Sequence, residues 1–229
     1  MENDAVFVDR VKYRGFKIDL LTDCDAANPR TEWDNLCTMI CWHRRYNLGD
    51  KHEFADSDEF QAWVKEEEYV PGKSIFLQPL YLYDHSGITI STKPFSDSWD
   101  SGQIGWIYLT AHRFKDECAR PHNKRLVKIK HITAEDRIRA FTYLENEVET
   151  YDQFLTGQVY GYMIDTISSD SIKCNDSCWG YYGPEGLKQA VSEAKEAIDN
   201  AYIEYHKQRV AKRCAQAEMD IFMRSCWAW

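Results

Sequence analysis

Beyond Gly186 the chain carries neither glycine nor proline through to its last residue, 229. A stretch that long without a helix breaker favours helix, the conformation that satisfies the backbone within a single segment. Leu187, Val191, Ala194, Ile198, Ala201, Tyr202 and Tyr205 recur within it at helical spacing, marking one apolar stripe. The stripe fades after Tyr205. The pattern predicts one long helix or two abutting ones, with residues 209–229 packed separately or held for a partner.

Upstream the signals alternate between strand and helix. Residues 13–23 read as a strand, followed at 24–35 by a loop dense in turn formers. Residues 56–68 place Phe60, Trp63 and Val64 at helical spacing behind acids that favour a helix start, with Asp56 or Ser57 as cap and Pro71 and Gly72 as stop. The runs 74–84, 88–92 and 103–111 are strand-like and joined by short loops, which predicts an antiparallel meander. Thr133 and Asp136 resemble a capping box opening a helix to about 149, with Ile138, Phe141, Leu144 and Val148 on its stripe. The runs 157–167 and 172–182 read as a hairpin hinged at 168–171. The expected class is α+β: an antiparallel meander sheet flanked by helices, with a core domain at 1–183 and a long helical extension at 184–229.

Apolar residues make up 44% of the chain and charged residues 28%, which suits a folded domain with a buried core and excludes a disordered one. No window approaches the roughly 20 apolar residues a bilayer span needs, and the acidic opening MENDAVFVDR has no signal-like apolar segment. The expectation is a cytoplasmic protein without membrane contact. In that compartment the eight cysteines are reduced thiols, mostly packed as small hydrophobes.

The net charge of −9 is unevenly spread. Residues 50–68 hold eight acids against two bases, and Glu145, Glu147, Glu149 and Asp152 follow one another with no base among them. Residues 113–130 hold seven bases against two acids. The acidic runs could steer toward a basic cleft or simply solvate helix faces. The overall acidity argues against duplex DNA binding, which rests on many cationic contacts.

Catalytic signals are sparse. Cys37, Cys41 and His43, with Cys174 and Cys178, could meet at one zinc, but three-residue gaps favour packed thiols over a metal knuckle. Cys178 with His85 is the one thiol and base pairing to sketch, and no nucleophile turn surrounds it. Asp97 and Asp100 could hold a hard cation, though Asp, Ser and Gly are equally what a turn needs. With no Walker loop, dinucleotide fingerprint or HExxH motif, the reading assigns no catalytic residue, metal or cofactor.

The strings NPRTEWDNL (28–36), CWHRRYNLGD (41–50), LYLYDHSGITIST (80–92), FSDSWDSGQIGWIY (95–108), TYDQFLTGQVYGY (150–162) and DSCWGYYG (176–183) together resemble a family encoded by bacteriophages and integrative elements. The resemblance spans about 13–183 and brings no catalytic residues with it. It implies a setting in which small acidic proteins inhibit host defence, as anti-restriction or anti-CRISPR proteins do. The expected partner is then a host defence protein or ribonucleoprotein complex in the host cytoplasm. Glu66, Glu67, Glu68, Glu145, Glu147, Glu149, Trp227 and Trp229 are the expected contact residues, acids for a basic groove and tryptophans as anchors. The alternatives are a metal- or thiol-dependent hydrolase and a DNA-metabolism accessory protein that would use 113–130.

Overall fold

The C-terminal helix α5 forms as its breaker-free sequence requires, unbroken over Gly183–Cys226. The structure, a computed structural model, describes residues 5–68, 74–119, 132–166 and 172–226. The class is α+β, and the chain groups into two compact units: a terminal one, Met1–Ala26 with Val159–Trp229, and a central one, Ala27–Gln158.

In the terminal unit, β1 (Phe7–Tyr13), β2 (Phe16–Thr22), β7 (Val159–Thr166) and β8 (Ser177–Tyr182) form one antiparallel sheet in the order β1-β2-β7-β8. The single strand expected at 13–23 is in fact the second arm of a hairpin. Arg14 and Gly15 both take positive φ, 47° and 82°, the geometry a tight hairpin turn demands. β1 escapes pattern reading because it is an edge strand with no buried residue, so it shows no alternation. Phe16, Ile18 and Leu20 of β2 and Tyr162 and Ile164 of β7 turn one face onto Ala190, Ala194 and Ile198 of α5. The small alanines let the helix lie close to the sheet. The boundary expected at 183/184 is the passage from β8 into α5, whose first half closes this core. The expected hinge at 168–171 lies outside the described residues.

The central unit holds α1 (Pro29–Glu32), β3 (Thr38–Cys41), α2 (Ser57–Glu68), β4 (Ile75–Asp84), β5 (Ile88–Ser91), β6 (Ser101–Thr110), α3 (Ala111–Ala119) and α4 (Ala134–Leu155). Its strands are antiparallel in the order β3-β6-β4-β5, so β4 lies between β5 and β6. The reason is length: β4 and β6 each have ten residues and pair along their whole run, whereas β5 has four. Both faces of this sheet are covered. Phe76, Leu80, Ile107 and Leu109 pack with Phe114 of α3 and with Ala140, Leu144 and Val148 of α4. On the other face Ile40 meets Phe60 and Val64 of α2, ringed by Trp63, Trp106 and Tyr108. Burial on both faces explains why β4 and β6 read as near-continuous apolar runs.

The helix starts behave as their caps dictate. Asp56 accepts from the backbone N–H groups of Asp58 and Glu59 at 3.0 and 2.9 Å, and Thr133 and Asp136 form a complete capping box. The inward face of α4 keeps Leu144 and Val148 of the expected stripe, with Phe141 packed at its edge, but Ile138 is 68% exposed and Ala140, on the opposite side of the turn, is buried. Pro71 and Gly72 fall outside the described residues.

Candidate functional site

The strings NPRTEWDNL and LGD, far apart in sequence, meet in the central unit. Asn28 caps α1 by accepting from Arg30 N at 2.9 Å, Pro29 supplies the pre-set φ of a first helical turn, and Glu32 takes the Asn28 N–H at 2.8 Å. This short turn aims Arg30 inward until its side chain is 1% exposed. There Nε and one terminal nitrogen donate to the two carboxylate oxygens of Asp50 at 2.9 and 2.5 Å. The other terminal nitrogen donates to Glu147 at 2.7 Å, and a further bond reaches Cys37 O at 3.0 Å. The carboxylates are held in turn by backbone: Glu147 accepts from Leu36 N and Cys37 N, both at 2.9 Å, and Asp50 from Met39 N at 2.8 Å. Gly49 has φ +73°, and a Cβ on it would come 2.6 Å from Met39 O. Only glycine lets the chain bring Asp50 under β3.

Burial would lower the pKa of Arg30, but Asp50 and Glu147 outweigh it and raise it. The charged groups of this knot are hydrogen-bonded to one another and to backbone, and the arrangement ties α1, β3 and α4 together. Cys37 and Cys41 stand beside it on the same face of extended chain. Burial pushes both thiols up, Cys41 to about 12. Neither ionises near neutral pH in that setting. His43 Nδ1 accepts from Arg45 N and Tyr46 N at 3.3 and 3.2 Å, which makes it a turn cap. Cys174 and Cys178 belong to the terminal unit, and among the described residues no group of three or more His, Cys, Asp or Glu is placed to hold a metal ion.

Among the described residues the most exposed large hydrophobic is Trp99, 94% accessible in the loop from β5 to β6. That loop is braced from within. Asp97 accepts from Trp99 N at 2.8 Å, its carbonyl accepts from Ser101 Oγ, and Asp100 O accepts from Asp84 N at 2.8 Å. His85 Nδ1 lies 2.9 Å from Asp100 Oδ2, and Tyr83 stacks on His85 and meets Phe95 at a tilt. On the same end of the sheet Arg45 pairs with Asp84, which also accepts from Tyr46 Oη at 3.3 Å. Asp97 and Asp100 thus serve the loop's own hydrogen bonds, as turn chemistry expects. Pattern reading passed over Trp99; the signal was present as one large aromatic inside the otherwise polar FSDSWDSG.

The expected contact acids divide. Glu66, Glu145 and Glu149 are exposed and Glu67 is half-buried. Glu147 is turned inward onto Arg30, because helical periodicity separates it from its neighbours at 145 and 149 by half a turn or more. The Glu68 side chain, Trp227 and Trp229 lie outside the described residues. Of the basic stretch, Arg113 is committed to Thr38 Oγ1 at 3.0 Å and Asn35 O at 2.8 Å, and residues 120–130 are not described. Among the described residues no helix is long and apolar enough to cross a membrane. No protein-family model, curated protein or solved structure matches the chain.

Proposed function

We propose that the chain is a non-catalytic binding protein that docks on a basic macromolecular surface, as an inhibitor covering the nucleic-acid groove of a host defence nuclease would. The observation that carries this reading is Trp99, held at 94% exposure on a loop braced by internal hydrogen bonds. Leaving an indole in water forfeits its burial energy, and a braced loop means that little order remains to be imposed when a partner covers it. Exposed tryptophans on rigid supports are the residues from which binding hot spots are made. Glu66 and Glu67 on α2 and Glu145 and Glu149 on α4, on opposite faces of the sheet, give the unit a negative field that favours approach to a positive surface.

The test is to express the protein in bacteria carrying a restriction or CRISPR defence and measure plating of a sensitive phage. Restored plating, lost on Trp99→Ala and weakened when the four acids are reversed to lysine, is the expected result. The residual binding of the acid-reversed form should also respond less to salt. Plating that stays suppressed with the unaltered protein across such defences, or rescue indifferent to both variants, refutes it.

A further inference from the structure

The second half of α5 presents a physical problem. From His206 to Met223 every residue is exposed, a stretch of eighteen consecutive helical positions. Isolated helices of that length are marginal in water, and helices in proteins owe most of their stability to a packed face. This one has such a face. Ile203, Val210, Cys214, Ala217 and Ile221 fall within one narrow stripe, at the seven-, four- and three-residue steps of a coiled-coil seam. Ile203, Val210 and Ile221 are 52%, 60% and 69% exposed. At its upper end the stripe enters a groove of about 820 Å³ whose walls include Arg14, Tyr202, Ile203, His206 and Val210.

Charge along the helix identifies the occupant. Lys207, Arg209, Lys212 and Arg213 against Glu204 make the near half basic, and Glu218 and Asp220 against Arg224 make the far half acidic. We propose that α5 self-associates, a second copy of this chain packing antiparallel along the stripe. A parallel copy would set the four bases beside their own counterparts. An antiparallel copy sets one of them, Arg213, beside an acid. The layers that satisfy the seam place Val210 against Ile221 of the second copy and Cys214 against Ala217 of the second copy. Two-fold symmetry repeats both layers. Arg213 then flanks Asp220 of the second copy, again twice. In this register Gln208 to Met223 of each copy face one another, sixteen residues or about 24 Å at 1.5 Å per residue. The pairing is isologous, so it closes as a dimer and does not propagate.

Sedimentation equilibrium of the full chain under reducing conditions tests this, the reductant removing disulfide dimers through the exposed Cys24, Cys178 and Cys214. A concentration-dependent dimer is expected. Val210→Asp with Ile221→Asp should weaken it at least about a hundredfold while circular dichroism of the sheet units is unchanged, since both side chains face solvent in one copy. Arg213→Asp alone should weaken it, and adding Asp220→Arg should restore it. A monomer at all concentrations, or a dimer indifferent to the Val210 and Ile221 changes, overturns the proposal. Failure of the charge swap to restore association overturns the antiparallel pairing.

Discussion

Replacing Arg30 by methionine removes the cation of the central knot while keeping a side chain of similar length. Arg30 is 1% exposed, and Asp50 and Glu147 retain only 21% and 16% of their side-chain exposure. Breaking a buried pair by removing one partner costs about 3–5 kcal/mol. Both carboxylates keep backbone donors here, Met39 N for Asp50 and Leu36 N with Cys37 N for Glu147. The cost should therefore fall near the lower bound, about 3 kcal/mol. With a urea slope of about 2 kcal/mol/M, the unfolding midpoint drops by about 1.5 M. Trp42, Trp63 and Trp106 sit in the same unit and report the transition by fluorescence. One further result discriminates the cause. Replacing all three residues by apolar ones of similar size should be worse than Arg30→Met alone, because it strands the Leu36, Cys37 and Met39 N–H groups at about 1–3 kcal/mol each. A triple variant as stable as the natural protein refutes the account of the knot.

Two other outcomes follow from the geometry. Thiol-directed reagents at pH 8 should modify Cys24, Cys178 and Cys214 in the folded protein and spare Cys37 and Cys41, which peptide mapping by mass spectrometry reads directly; rapid labelling of Cys41 would contradict its burial and raised pKa. Gly105→Ala would place a Cβ 1.9 Å from Ile40 O, so β3 must separate from β6. A loss of about 3 kcal/mol or more is expected, and a denaturation curve superimposable on the natural one would refute it.

Much of the architecture was readable in the chain because local rules and tertiary packing agree there. The caps at Asp56 and Thr133, the β4, β5 and β6 runs, the hairpin of β7 with β8, and the continuity of α5 all follow from periodicity and breakers. Other elements were illegible for identifiable reasons. β1 shows no alternation because neither of its faces is buried, and β3 spans only four residues in a loop-like composition. On α4 the stripe was right at Phe141, Leu144 and Val148 and wrong at Ile138, because a large apolar residue near a helix start can face water while the small Ala140 takes the buried side.

For the site, sequence by itself determined which residues carry charge and aromatic surface, and that no familiar catalytic spacing is present. It also determined where α5 loses its packed stripe, after Tyr205, since the loss is written in the spacing of apolar residues. Only the tertiary structure decided what each group does. Glu145, Glu147 and Glu149 are equivalent as letters, yet one is consumed by Arg30 while the others face water. The partner that makes the difference lies more than a hundred residues away and is positioned by a four-residue helix and a glycine turn. Coulomb attraction and desolvation act through space, so the fate of a charge depends on neighbours that chain order does not reveal.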